Sequence, residues 1–173
     1  MNTGGITEYL CNSCKCYGII RNYNNYDDPN NDDFGYGLAY KRKILEIIRE
    51  NNIKLVLDIH GCSNFHDFEF CLGTDGMKNL NGQYRTLDIL KEGLSFIGKT
   101  SVDSYFKAST NGNVSKYVST NSCAACVQLE ISTKFRKENE YLQQLILAMQ
   151  LIIKNINERV LKEPKVRSDI LVR

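Results

Sequence analysis

LVLDIHGCSNFHDFEFCLGT, residues 55–74, decides how the chain is read, because it joins a buried strand to both of the histidines. Ile53–Ile59 is a short apolar run between turn residues, the pattern of a strand buried on both faces and paired in parallel. Side chains alternate along a strand, so Asp58 and His60 face the same side. A carboxylate two residues before a histidine can orient the imidazole and raise its basicity, as it does around metal-binding histidines. His66 follows six residues later, between carboxylates at Asp58, Asp67 and Glu69.

Phe68–Leu72 reads as a second strand and Gly73-Thr74-Asp75-Gly76 as a turn. Upstream, helix-period spacing begins near Tyr36. Leu38, Ile44, Leu45, Ile47 and Ile48 share one face, with Lys and Arg on the other, and Asn51-Asn52 stops the helix. Downstream, QYRTLDILKEGLSF (83–96) carries a Leu87, Leu90, Leu94 stripe. Thr110-Asn111-Gly112-Asn113 is a turn, and Asn113 or Ser115 is placed to cap a helix through Val118. CAACVQLEI (123–131) is a further strand, and residues 137–161 read as one long amphipathic helix. Residues 1–35 read as irregular, dense in Asn, Asp and Gly after CNSCKC, and the tail EPKVRSDILVR as a loosely packed end. Strands alternating with helices predict an α/β fold, a three-layer sandwich around a mixed, mostly parallel sheet. Residues 1–173 form one domain in this reading, with 1–35 irregular.

The composition is that of a folding chain: 173 residues, 42% hydrophobic and 24% charged. A net charge of +2, from 22 basic and 20 acidic residues, is too balanced to imply nucleic acid or an anionic membrane as partner. No segment approaches the roughly 18–20 apolar residues of a membrane span. No secretory signal is visible in MNTGGITEYL, so the expectation is a cytoplasmic protein whose seven cysteines stay reduced. Oligomeric state is not legible.

Ligands of open α/β sheets bind beyond the carboxyl ends of the strands. Two polar clusters sit at such ends, Asp58-Ile59-His60 and Gln128-Leu129-Glu130. Gln128 and Glu130 share a side as Asp58 and His60 do. A glutamate late in a buried strand is costly unless paired or put to work, and facing a metal-bound water it is a natural general base. Taken singly, each feature has a plainer reading. An Asp-x-His is more often a hydrogen-bonded structural pair, and a Glu in an apolar strand is more often at the surface or salt-bridged, here to Arg136 or Arg85. His66 is more often a loop residue. The weight lies in two such clusters ending separate buried strands of one small domain.

VLDIHG followed by DFEFCLGT, then a helix, then VQLEIS and an Arg, resembles the N-formylglutamate amidohydrolase family, which is similar to zinc carboxypeptidases and aspartoacylase-like deacylases. The likeness runs from about Asp27 to Arg136, with weaker matches at Asp-Pro-Asn 28–30 and Tyr40-Lys41. The resemblance implies a zinc-dependent hydrolase acting on the C–N amide of a small N-acyl amino acid. His60 falls on a zinc ligand and Glu130 on the residue that activates the zinc-bound water, whose pKa zinc lowers to about 7. Asp58 and Gln128 stand behind them, and His66, where relatives hold substrate, is taken as a further ligand. The wider group draws two more ligands, a His and a carboxylate, from an earlier loop with His-x-x-Glu-like spacing, and no histidine precedes His60 here. Three readings therefore stay open: a chain lacking an N-terminal segment, a site rebuilt from other groups, or a catalytically inactive relative that binds a small molecule or partner.

Two further sets of residues carry chemistry. C-x-x-C at Cys11/Cys14 and Cys123/Cys126 could together hold a structural zinc, although a strand would turn Cys123 and Cys126 to opposite sides. Arg85, Arg136 and Arg21 could hold a substrate carboxylate, for which the guanidinium fork is suited. There is no phosphate-binding glycine motif and no nucleophile elbow.

Overall fold

A computed structural model of the chain describes residues 2–21, 29–30 and 35–161. Ten elements in chain order build it: α1 (Thr3–Cys14), α2 (Gly35–Asn51), β1 (Leu55–Cys62), β2 (Phe70–Gly73), α3 (Tyr84–Ser95), β3 (Thr100–Val102), α4 (Val114–Asn121), β4 (Ala125–Ser132), α5 (Thr133–Lys137) and α6 (Asn139–Ile156). The four strands form one sheet in the order β1-β4-β2-β3. β1 pairs with β4 in parallel, β2 with β3 in parallel, and β2 with β4 antiparallel. Helices cover both faces, so the α/β three-layer architecture with a mixed, mostly parallel sheet is the observed one.

β4 divides the layers by residue parity. Val127, Leu129 and Ile131 pack with Leu10 of α1, Leu90 of α3 and Met149 of α6 in the larger core. Cys126 faces the other way, against Ile44 and Ile48 of α2 and Val114 and Val118 of α4. These helices cover only the amino-terminal half of that face. Beyond Cys126 the same side of β4 carries Gln128, Glu130 and Ser132.

The expectation of an irregular N-terminus is corrected over Thr3–Cys14, which is helical. Asn2 caps it, its side chain accepting from the Gly5 N–H at 2.8 Å, and Ile6 and Leu10, one turn apart, are buried. Gly4-Gly5 and the cysteines disguised this helix, because its stability comes from packing on α6 rather than from propensity. The single helix expected at 137–161 is also corrected. α5 ends at Lys137, the extended Glu138 separates it from α6, and α6 passes into a π-helical turn over Asn157–Leu161. Lys41, assigned to the charged face of α2, is instead fully buried. β3 and a short 3-10 turn at Lys78–Leu80 had no distinct signal. The tail 163–173 and the Asp cluster at 27, 28, 32 and 33 lie outside the described residues. No helix among the described residues is long and apolar enough to cross a membrane.

Candidate active site

The parallel register of β1 and β4 sets His60 directly opposite Glu130 and Asp58 opposite Gln128. In-register neighbours in a parallel pair share a face, so the two clusters, seventy residues apart in sequence, form one four-residue patch. Both strands end at the same rim, which places the patch at their carboxyl ends.

Hydrogen bonds knit the patch together. His60 Nε2 lies 2.9 Å from Asp58 Oδ1 and 3.0 Å from Asn30 Nδ2, and Nδ1 lies 3.4 Å from the same amide nitrogen. With Nε2–H donating to the carboxylate, Nδ1 is left as the acceptor for Asn30. Asn30 Oδ1 accepts from the Val114 N–H at 2.9 Å, tying this residue to the first turn of α4. Ser115 Oγ donates to Asp58 Oδ2 at 3.2 Å. On the neighbouring strand, Asn113 Nδ2 donates to Gln128 Oε1 at 2.7 Å, and Gln128 Nε2 donates to Glu130 Oε1 at 2.8 Å. Asn113 also caps α4, its Oδ1 accepting from the Ser115 and Lys116 N–H groups. One side chain thus fixes the helix start and the amide of Gln128.

Electrostatics follow from burial. Glu130 is 5% exposed, and this burial pushes its carboxyl above the ordinary carboxylate value. The nearby His60 and the Gln128 hydrogen bond offset part of that rise. Cys62, at the end of β1, is pushed up to about 11 by burial and then by Glu130. Tyr40 is pushed up to about 12 by burial and then by Asp58. A cavity of about 290 Å³ opens beside the imidazole, with Thr3, Arg21, Asn30, Asp58 and His60 in its wall. Glu130 lies one strand inward from it.

The other candidate residues are placed differently. His66 is half-buried in an aromatic cluster, stacked on Phe68 at 5.0 Å between centroids and against Tyr105 at 4.6 Å and Phe106 at 5.3 Å. Arg136 is part-buried at the rim, with Nε donating to the Ile131 carbonyl and Nη2 to the Cys62 carbonyl, both at 2.9 Å. It thereby clamps the ends of β1 and β4 together. Its guanidinium lies over Gly61, 2.5 Å from where a Cβ there would be, so a larger residue at 61 would have to displace the Arg136 head group. Arg85 is exposed on α3, in the helix layer on the opposite face of the sheet from Glu130. Cys11, Cys14 and Cys16 lie at the end of α1, Cys123 is exposed and Cys126 is buried, all seven cysteines being free.

Asn30, Asn113 and Ser115 were not read as site residues. Asn113 carried a capping signal, and Asn30 lay in the Asp-Pro-Asn stretch, but neither signal contained its tertiary partner. The zinc expectation needs about three protein ligands. Among the described residues, no group of three or more His, Cys, Asp or Glu side chains is placed to hold a metal ion. His60 Nε2 is engaged with Asp58, and His66 is held among aromatic rings. The described donors do not by themselves compose a zinc site.

No family model matches the sequence, and no curated protein matches it. Among solved structures, the chain is similar to the crystal structure of N-formylglutamate amidohydrolase from Ralstonia eutropha JMP134. The TM-score is 0.53 at 15% identity, over 71% of this chain and 50% of that one. A zinc-free apo structure of YNDL aligns with a TM-score of 0.41 at 22% identity, over 58% of this chain and 54% of that one. The chain spans about half the length of these structures, and its likeness to the amidohydrolase is a distant one of fold.

Proposed function

We propose that the patch at the carboxyl ends of β1 and β4 is the active site of an amidohydrolase that cleaves the amide of a small N-acyl amino acid. The observation that carries this reading is the register that sets His60 beside a buried Glu130. Glu130 is the general base. Its ionised carboxylate takes a proton from water as the oxygen attacks the amide carbonyl, and it returns that proton to the nitrogen as the C–N bond breaks. A carboxyl raised by burial is a stronger base for this step, and proton transfer by a positioned residue is worth about 10²–10⁴ in rate. Asp58 orients His60 at the mouth of the cavity, where the acyl group sits. The family resemblance adds zinc. The described donors stop short of a zinc site, and titration of the reduced protein with Zn²⁺, read by the His60 imidazole resonances, tests whether His60 takes part in binding one.

Amine release from a panel of N-acyl amino acids, N-formylglutamate among them, tests the reaction. Wild-type turnover that falls by about 10²–10⁴ in Glu130→Gln is the expected result. Unchanged turnover in that variant removes Glu130 from the role.

A second reading is favoured by the closure of the network: Asp58, His60, Gln128 and Glu130 are all bonded to one another or to α4 and Asn30. Such a patch could bind a small acyl amino acid without turning it over. Saturable binding with no product would establish that reading over the first.

A further inference from the structure

We infer that Cys11 and Cys16 are a thiol pair set for reversible oxidation, closing an intrachain disulfide across the end of α1 when they meet a small-molecule disulfide of the glutathione type. The placement comes from how the helix ends. Lys15 adopts the left-handed conformation, φ 54° and ψ 44°, and its N–H bonds the Cys11 carbonyl. The Cys16 N–H reaches the same carbonyl at 3.2 Å. This is a Schellman-type ending, in which the residue two past the helix comes against the side chain one turn back from its end. Here both of those side chains are cysteines, with sulfurs 3.9 Å apart. Cys14 is placed otherwise, its sulfur 3.7 Å from Ser13 Oγ. Gly18 completes the arrangement, since a Cβ there would lie 2.5 Å from Cys11 Sγ. A disulfide bond is about 2.05 Å long, so the sulfurs close by roughly 2 Å, within reach of side-chain rotation at the exposed Cys16.

The exchange has two steps. The Cys16 thiolate attacks one sulfur of oxidised glutathione, forming a mixed disulfide and releasing the first glutathione thiolate. The Cys11 thiolate then attacks the Cys16 sulfur, forming the Cys11–Cys16 bond and releasing the second. Two cysteine thiols lose two electrons, one glutathione disulfide is reduced to two thiols, and the two cysteine protons end on them. Partial burial of its sulfur, and then the neighbouring Cys11, push the Cys16 thiol up to about 12, so the reaction quickens as pH rises from neutral. The product pins the left-handed turn at Lys15 and the start of the Cys16–Arg21 segment. Cys11 and Cys16 both line an apolar cavity of about 250 Å³ beside β1, and Arg21 lines the cavity beside His60, so the oxidation state sets the rigidity of a wall shared by both.

The test treats the reduced full chain with oxidised glutathione, blocks the remaining thiols with iodoacetamide, and digests with trypsin without reductant. Trypsin cuts after Lys15, between the two cysteines, so residues 1–15 and 16–21 stay joined only through a disulfide. The expected result is a joined pair that dithiothreitol separates, that persists in Cys14→Ser and is lost in Cys11→Ser, and that forms faster at alkaline pH. A joined pair that survives Cys11→Ser and disappears in Cys14→Ser overturns the assignment. Glutathione adducts on the separate peptides, with no joined pair at any pH, overturn it as well.

Discussion

The two faces of β4 are buried alike and built from opposite chemistry. Val127, Leu129 and Ile131 are each 0% exposed, and the residues between them, Gln128, Glu130 and Ser132, are 2–5% exposed. The first set meets α1, α3 and α6 through apolar contact alone, which needs no direction. The second set loses water just as completely, and each polar atom then needs a partner of its own. Asn113, at the start of α4, donates to Gln128, and Gln128 donates in turn to Glu130. One strand therefore carries both a packed core and a polar site, and parity decides which residue joins which.

Leu129→Ala should give the largest effect on stability, a loss of about 2–5 kcal/mol in urea unfolding, the usual cost of a cavity in a fully packed core. A loss as small as that of a surface change would mean this face is loosely filled. Asn113→Ala comes next. It removes the cap of α4 and leaves the Gln128 amide oxygen unpaired, so about 1–2 kcal/mol should go. If the two faces depended on packing alone, this substitution would cost no more than removal of an exposed cap.

The third test uses pH. The folded chain holds a proton on Glu130 more tightly than the unfolded chain does, because burial raises the carboxyl above its ordinary value of 4.5. Stability contributed by the protonated form is present below the ordinary carboxylate range and is lost as pH rises through the raised folded value. Glu130→Gln cannot ionise, so it should match the wild type in acid and exceed it at neutral pH, as unfolding midpoints across a pH series would show. A wild type that gains on the variant as pH rises would mean the carboxylate is stabilised in the fold, and would reverse the electrostatic account. Ser132→Ala should change least, within about 0.5 kcal/mol and toward stabilisation, because the Ser132 hydroxyl is buried with no hydrogen-bond partner among the described residues. A clear loss on thermal melting would reveal a partner for that hydroxyl.

Local patterns carried much of the fold. The apolar run into Asp58-Ile59-His60, the Leu87, Leu90, Leu94 stripe and the Asn113 cap each depend on neighbours within a few residues, where spacing is informative. α1 was missed because its support is a contact between Ile6 or Leu10 and a helix more than a hundred residues away. His66 and Arg136 show the same limit from the other side. Both have residue types suited to chemistry, yet one is packed into aromatic rings and the other into backbone carbonyls of the strand ends. Phe68 and Ile131 are close in the chain, but Tyr105 and Phe106 around His66, and the Cys62 carbonyl on Arg136, come from distant segments. For Arg85, helix periodicity placed the residue on α3 but could not say on which side of the sheet that helix would lie.

Alternation along an extended chain, a property of each strand by itself, was enough to put Asp58 with His60 and Gln128 with Glu130. That β1 and β4 would lie side by side, in a register setting His60 against Glu130, came only with the tertiary structure. Strand order is chosen by which apolar faces can be covered together, a free-energy balance summed over the whole chain rather than written at any one position.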